Sequence, residues 1–574
     1  MSDPTVTVVI GAYNAMPYLT RCIESVVEQS LGTYELECLA VDDGSTDGTG
    51  KELDRFAAKH PDTVRVIHQP NSGGPSGPRN VALGLARGRY VFFLDADDYL
   101  GPDALRRMID MAERNSSDVT LGKYVGINCT VPRSMFEANQ EVVDLATSRV
   151  WYALTPHKLF RRSFLDEHRL RFDEDVYIGE DRIFVTKAYL LASAISVVAD
   201  EDCYFKVKRD DQGNITSNYR DLMERFEVAR RLMTAITAYS EPGPVRDAAL
   251  LRHFRGGLLD SFSWRFPLME ESDRLKAMGI AKEQLDAFYT PELDAQMTAW
   301  LRLFAHCAQH GLQQELIDII DFRTEASRKR QPPYGTVVEN GRAYAVYPYF
   351  RDEKAGIPDS CYDITDELQQ NDRLDAVEWH EARRRGVLRL RGYGYIEHVD
   401  TRKPATELVL RLRNDGREVR VPTRRTALPA LTPEQGHAFD HRLSGFTADI
   451  DITRAMDGAP LPTGIWDVYL NVLTQGLSTR RRFGARKAAD LAPARGGRSG
   501  RLAVKPYYTQ GYSNLSLDVT AAAQEKPKGS KQGGRGGLTG LGRRIGKRGL
   551  RKIKRLSRLS GAARPSGRGA APRG

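Results

Sequence analysis

The 574-residue chain has no run of about 18 to 20 consecutive apolar residues, the length a membrane-spanning helix requires, so no such helix is expected. Its first residues, MSDPTVTVVIGAYN, have no basic start, no separate apolar segment and no small-residue cleavage site. That argues against a signal peptide and for a strand that begins at once. Cysteine is scarce: Cys22, Cys38, Cys129, Cys203, Cys307 and Cys361 are scattered and form no Cys-x-x-Cys pair. The spacing argues against a zinc ribbon and a disulfide framework and points to a reducing compartment, the cytoplasm. Two nucleotide motifs are missing as well. Without GxxxxGK[ST] the chain is no P-loop ATPase, and without GxGxxG between the first strand and helix a dinucleotide is not expected. No aromatic residue follows Tyr512 to stack on bases, so nucleic acid is not an expected partner of the C-terminal segment.

Charge of one sign is concentrated. From Ala522 onward there are 16 Lys and Arg against one acidic residue, Glu525, so the overall net charge of +9 conceals a mildly acidic body with a basic tail. Within the tail, LGRRIGKRGLRKIKRLSRL (541–559) interleaves Leu541, Ile545, Leu550, Ile553, Leu556 and Leu559 with nine Lys or Arg and no acid. As a helix it would be basic and amphipathic, suited to an anionic membrane surface or an anionic polymer. Gly542, Gly546 and Gly549 weaken helix formation in free solution, and a solvated disordered tail is the competing reading.

Four segments are expected. Residues 1–217 alternate strand and helix (TVTVVIGAY, AMPYLTRCIESVVEQS, YELECLAVDD, TVRVIHQ, YVFFLD), the pattern of right-handed βαβ units and a mostly parallel sheet. Residues 218–330 read as helical, with 3.6-residue periodicity in LMERFEVARRLMTAITAY and in LDAQMTAWLRLFAHCAQHGLQQELIDIIDF. Residues 331–521 switch to alternation (GVLRLRGYGYI, TELVLRLRN, FTADIDI, WDVYLNVLT), a β-sandwich pattern. Residues 522–574 are too polar and glycine-rich to bury a core.

In an open α/β sheet, ligands gather beyond the carboxyl ends of the strands. Polar clusters fall there four times: Tyr13–Asn14, Asp42–Asp43, Asn71 and Asp95–Asp98. An Asp-x-Asp at the end of a buried strand suits a hard divalent cation, which takes one or two carboxylates plus substrate phosphates. The competing reading is a strand-end turn whose aspartates cap the next helix. In VDDGSTDGTG, Gly44 gives a turn, Asp47 can cap the following helix, and Asp43 is free to accept from the N–H edge of a base. NSGGPSGPRN has little side-chain bulk, so backbone N–H groups can approach a ligand, with Arg79 offering a fork to phosphate. The acidic pair in YIGEDRIF, Glu180–Asp181, opens a helix and also favours its dipole. His306, Cys307 and His310 share one helix but lack the further partners of a metal site. Trp264 in SFSWRF lacks the Gln of the Gln-x-x-Arg-Trp of processive polysaccharide synthases, which, with no membrane spans, disfavours a processive polymerase.

The stretches VTVVIGAYN, LAVDDGSTDGT, NSGGPSGPRNVALGLARGRYVFFLDADDYL and GEDRIF resemble the family 2 inverting glycosyltransferases of GT-A fold. VPRSMF, SRVWYALTPHKLFRR and Lys208–Arg209 are similar to the subgroup that places N-acetylglucosamine on polyribitol phosphate of wall teichoic acid. The resemblance implies a GT-A (Rossmann-like) α/β domain, a helical linker and an all-β immunoglobulin-like C-terminal domain used for trimerisation. It implies that Tyr13, Asn14, Asp43, Asn71, Arg79 and Asp95 hold the uridine part of a UDP-sugar, and that Asp97 ligates Mn2+ or Mg2+ with the diphosphate. It further implies Asp181 as general base, Glu180 on the sugar, and Arg209 and Thr216 in a loop closing over the diphosphate. The expected enzyme is a cytoplasmic UDP-sugar transferase, peripheral at the inner face of the cell membrane. Its acceptor is a polyanionic cell-wall polymer. The rival readings are transfer to a capsular or lipid-linked saccharide, and a non-catalytic scaffold binding nucleotide-sugar or polymer.

The tail gives a first prediction. Truncation after Gly529 is expected to reduce sedimentation with anionic liposomes and to leave transfer to a small soluble acceptor intact; undiminished liposome binding would remove the tail from membrane contact.

Overall fold

The computed structural model describes residues 3–31, 35–210, 222–329, 335–382, 385–401, 405–428, 430–431, 439–492 and 494–522. Thr216 and the basic tail lie outside them.

The N-terminal segment forms β1 (Val6–Ala12), α1 (Leu19–Val27), β2 (Leu36–Asp43), α2 (Thr49–Lys59), β3 (Val64–Gln69), α3 (Ser76–Leu85), β4 (Tyr90–Asp95), β5 (Tyr99–Leu100), α4 (Ala104–Asn115), β6 (Val119–Ile127), β7 (Lys158–Arg161), α5 (Arg162–Glu167), α6 (Glu180–Leu191) and β8 (Ile195–Val207). β2 is buried along its whole length, as a central strand covered on both faces must be. α1 turns Leu19, Cys22, Ile23 and Val26 inward at helical spacing. The sheet order is β3-β2-β1-β4-β7-β6-β8-β5, with β1 to β4 mutually parallel and β7 and β5 antiparallel to their neighbours. The chain runs outward from β1 through β2 to β3 and then returns to β1's other side as β4. That reversal is the switch point at which an open sheet leaves a crevice. The register places Asp95 opposite Gly11, and Asp42 opposite Ala12, so three strand tips are neighbours. A Cβ on Gly11 would stand 3.3 Å from Pro78, so the glycine lets α3 lie close over the crevice.

Aromatic packing fixes α6 under this crevice. Phe93 of β4 meets Phe172 edge-on at 5.1 Å, and Phe172 stacks on Phe184 of α6 at 4.1 Å. Such pairs contribute about 0.5–1.5 kcal/mol each beyond area burial. The helical segment follows as α7 (Leu222–Tyr239), α8 (Pro244–His253), α9 (Glu271–Phe288), α10 (Pro291–Asp294), α11 (Ala299–His310) and α12 (Gln313–Lys329). Val228 and Leu232 of α7 close with Val176 and Ile183 into a small apolar cluster that joins this segment to α6.

Two short strands, β9 (Thr336–Glu339) and β10 (Arg342–Ala345), pair before the C-terminal all-β domain. Its strands are β11 (Gln370–Ala382), β12 (Arg385–Ile396), β13 (Ala405–Leu412), β14 (Glu418–Thr426), β15 (Gly445–Ile450), β16 (Gly464–Thr474), β17 (Leu477–Arg482), β18 (Gly497–Ser499), β19 (Leu502–Tyr508) and β20 (Leu515–Ala521). They form one path, β11-β12-β15-β14-β13-β16-β20-β19-β18, with β17 on β16. The first half of β14 pairs with β13 and its second half with β15. The layers are therefore continuous through one strand instead of forming the two separate sheets of an immunoglobulin-like sandwich, and the domain is described as all-β. All six cysteines are free thiols.

One core residue is unusual. Lys158, the first residue of β7, is fully buried; its Nζ donates to the Tyr124 hydroxyl at 3.3 Å and to the Thr155 carbonyl, between the Tyr124 and Tyr189 rings. Burial pushes its amine down to about 7, against the opposing pull of Asp181. A base whose folded-state pKa lies below its unfolded value costs stability wherever the unfolded chain is protonated. The penalty is complete below about pH 7 and fades as pH rises toward the ordinary lysine range. Lys158→Met is therefore expected to compare best with the wild type near pH 7, and its Tm relative to the wild type should fall as pH is raised toward 10. A difference in Tm that does not change with pH would mean that Lys158 is not held uncharged.

Candidate active site

The loops after β1, β2 and β3 are tied to one another by short polar side chains. Asn14 adopts a left-handed backbone (φ 47°); its amide donates to Ser45 Oγ at 3.0 Å and its Oδ1 accepts from the Thr46 amide at 2.9 Å. Asp47 accepts from the amides of Met16 and Thr49, both at 3.0 Å, so it ties the start of α2 to the β1 loop as well as serving the helix end. Asp43 is buried and accepts from the Ser72 amide and hydroxyl and from Gln69 Nε2. Asn71 donates to the Asp43 carbonyl at 3.0 Å and accepts from the Gly73 amide at 2.9 Å. Gly73 has φ +85°, a backbone that only glycine adopts without strain. Tyr13 stands 53% exposed at the lip, a flat ring beside a rigid polar floor.

Arg79, from α3, occupies the centre. It is 9% exposed. Its NH2 donates to Asp95 Oδ1 and its NH1 to Glu180 Oε1, each at 2.8 Å. The open fork toward phosphate expected from the sequence is thus a guanidinium already clasped by two carboxylates. Glu180 lies 101 residues beyond Arg79, so this one side chain joins the tip of β4 to the start of α6.

The three carboxylates of DADD separate into three roles. Asp95 faces Arg79 and accepts from His157 Nε2 at 2.9 Å. Burial raises its pKa, but His157 and Arg79 outweigh burial and hold it well below the usual carboxylate range. Burial also lowers the His157 imidazole, which stacks on Tyr204 at 4.2 Å. Asp98 is 2% exposed; it accepts from the Tyr204 hydroxyl at 2.5 Å and the Val207 amide at 2.7 Å, anchoring β8 behind the crevice. Asp97 lies between them and, like Asp95, is half-buried. Burial, then the neighbouring charge of Asp95, pushes its carboxyl up to about 6. Asp95, Asp98 and His157 bring three donor atoms within 4.8 Å of one another, a set of the kind that holds a divalent cation. All three are engaged with one another, Arg79, Tyr204 and Val207.

At the start of α6, Glu180 is buried and pushed upward, first by burial and then by Asp181, against Arg79. Asp181 is half-buried and accepts from the Arg182 amide at 2.7 Å. Gly179, with φ +95°, makes the turn that delivers the pair. Behind Asp181 stand two arginines. Burial, then Arg252, pushes Arg182 down to about 10, and its Nε has no partner among the described residues. Arg252 is likewise lowered by burial and donates to the Trp151 carbonyl at 3.0 Å. Two like charges partly removed from water call for an anion. On the opposite lip, Arg209 donates to the Asn14 carbonyl at 3.0 Å and lies over Tyr18. Its expected companion, Thr216, lies outside the described residues. Sequence reasoning assigned no role to His157, Arg182 or Arg252, because each depends on a contact between distant segments.

Comparison with known proteins follows this architecture. The family model "Glycosyl transferase family 2" matches residues 7–172, the TarS linker domain model residues 223–320, and the TarS β-glycosyltransferase C-terminal domain 1 model residues 368–519. The poly(ribitol-phosphate) β-glucosyltransferase of Bacillus spizizenii is 28% identical, over 90% of this chain and 78% of its own length. The poly(ribitol-phosphate) β-N-acetylglucosaminyltransferase TarS of Staphylococcus aureus is 33% identical over 57% of this chain, which spans about half (56%) of that relative. The glycosyltransferase EpsJ of Bacillus subtilis, itself uncharacterized, is 30% identical over 42% of this chain and 71% of its own. Crystalline S. aureus TarS shares the fold over 90% of this chain and 86% of its own, with TM-score 0.59 at 24% identity. The complex of TarS residues 1–349 with UDP-GlcNAc matches 60% of this chain and 97% of its own, with TM-score 0.52 at 29% identity. With the switch-point crevice, the Asp-x-Asp tip and the three matched domain models, the chain belongs to glycosyl transferase family 2 and is a glycosyltransferase.

Proposed function

We propose that the protein transfers a hexose from a UDP-sugar, with inversion, to hydroxyls of a polyol-phosphate cell-wall polymer. One observation carries the reading: Arg79 bridges Asp95 and Glu180, and so holds the acidic pair of α6 against the strand tips. The relatives act on poly(ribitol-phosphate), and one solved neighbour holds UDP-GlcNAc. N-acetylglucosamine is the sugar the sequence resemblance implies, and glucose is that of the Bacillus spizizenii relative.

In this reading, Tyr13, Asn14, Asp43 and Asn71 form the uridine floor, with Tyr13 offering a ring face. Arg79 and Asp95 support the pocket from beneath, and Glu180 faces the sugar. Arg209 lies where it would meet the diphosphate. Asp97 fits a resident divalent cation, Mn2+ or Mg2+, because its carboxyl is raised by burial and by Asp95, and positive charge would relieve both effects. When bound, such a cation supplies charge neutralisation to a diphosphate. Asp181 accepts the proton of an acceptor hydroxyl as that oxygen forms its bond to the anomeric carbon. The bond from that carbon to the donor phosphate breaks on the opposite face, and UDP carries away the electron pair. Arg182 and Arg252, beside the base, suit the phosphodiester next to the reacting hydroxyl. A polyanionic acceptor, rather than a neutral saccharide, matches two half-buried arginines that stand together. The enzyme would work at the cytoplasmic face of the membrane that carries its acceptor.

Asp181→Asn is expected to bind UDP-sugar with unchanged affinity and to lose transfer by about 10²–10⁴-fold, the scale of positioned base catalysis. Full transfer in that variant would remove Asp181 from the mechanism. Asp97→Asn should lose the extra thermal stabilisation that Mn2+ adds to UDP binding; an undiminished Mn2+ increment would place the cation elsewhere.

A further inference from the structure

A cavity lies in the helical segment, outside the crevice. It encloses about 450 Å³. It is lined by Asp260, Trp264 and Phe304 together with Arg323, Thr324 and Arg328 of α12. Trp264 is 51% exposed, a large apolar surface that no packing role explains, and the Arg265 guanidinium lies 5.2 Å from its ring centre. Arg323 makes no ion pair among the described residues; its guanidinium lies 5.5 Å from the Phe304 ring centre. Asp260 reaches Arg225 only at 3.9 Å and is 55% exposed. The cavity is separate from the donor site but continuous in sequence with its acceptor edge: Arg182 donates to the carbonyl of Gly256, four residues before Asp260.

The lining brings three kinds of group around one cavity. A carboxylate accepts from adjacent hydroxyls, an indole face takes the C–H face of a pyranose, and guanidinium groups pair bidentately with phosphate. A free polyol chain has no ring to lay on Trp264, and a free phosphate has no hydroxyls for Asp260. Resting on the function proposed above, we infer that this cavity binds a hexopyranose joined to a phosphodiester, that is, a repeat of the acceptor polymer already glycosylated. Holding a finished repeat keeps the next one near Asp181, so the second encounter becomes intramolecular and its effective concentration rises.

The test compares wild type, Trp264→Ala and Arg323→Ala on three acceptors: ribitol-phosphate dimers without sugar, long polyribitol phosphate without sugar, and the same long polymer partly glycosylated beforehand. UDP-sugar hydrolysis serves as the control for the donor site. Each variant is expected to match the wild type in hydrolysis and on the dimer. On the glycosylated polymer each should show a KM raised about tenfold, the scale of losing one anchoring side chain. A KM on that polymer equal to the wild type's overturns the cavity assignment and leaves the proposed function standing. A wild type that hydrolyses UDP-sugar and transfers to none of the acceptors overturns the acceptor reading, and the cavity assignment with it. An equal rise in KM on unglycosylated and glycosylated long polymer also refutes it, because a site for bare phosphodiester predicts no preference for the sugar. Trp264→Phe, which keeps a ring face, should recover most of the loss; no recovery would exclude stacking.

Discussion

A single guanidinium holds the site together. Arg79 touches Asp95 at the end of β4 and Glu180 at the start of α6, and both acids come from segments that have no other polar tie across the crevice among the bonds described above. A buried cation without its partners is strongly unfavourable, and so are two buried carboxylates without a cation. The three groups are therefore stable only together, and the geometry of the pair Glu180–Asp181 follows from where Arg79 must lie. The aromatic stack of Phe93, Phe172 and Phe184 sets the depth of α6, and Gly179 sets its entry angle. The ion cluster sets the rotation that turns Asp181 toward the open side.

Around this clasp the electrostatics divide by distance from water. Asp95 is ionised because Arg79 and His157 reach it directly. Asp97, two residues on, has Asp95 as a neighbour and burial against it, and its affinity for protons rises. One acid thus faces two cations directly, and the next is raised by burial and by Asp95 against the weaker pull of Arg209 and Lys206. Asp98 answers a mechanical need, joining β5 to β8 through Tyr204 and Val207. A short acidic run can meet three different environments because a strand end followed by a turn points successive side chains in different directions.

What was legible in the sequence was whatever depends on local order. The alternation of strand and helix, the polar clusters at four strand tips, the acidic pair opening α6 and the bond from Asp47 to the Thr49 amide all follow from spacing within a few residues. What was not legible depends on contacts between distant segments. The antiparallel entry of β7 beside β4 brings His157 to Asp95 and buries Lys158, yet KLFR reads like any short strand. Arg79 was visible as a cation near a glycine-rich loop, but its two carboxylate partners lie 16 and 101 residues away. The alternating strands after residue 370 announced an all-β domain. Only the pairing of β14 with both β13 and β15 reveals that its layers are continuous.

The cationic side of the site bears on the acceptor in the same way. Burial, then Arg252, lowers the affinity of Arg182 for protons, against the opposing pull of Asp181 and Asp260. In an enzyme acting on a neutral sugar such a pair would be a standing cost with no return. With the polyol-phosphate acceptor proposed above, one phosphate per repeat would match the pair, and the cost of the free state would become selectivity for a charged acceptor. Asp260, between these arginines and those of α12, breaks what would otherwise be one continuous cationic strip. A strip would hold any polyanion equally at every register. The interruption imposes a spacing, so an anionic chain gains from both patches only when something other than phosphate lies opposite Asp260.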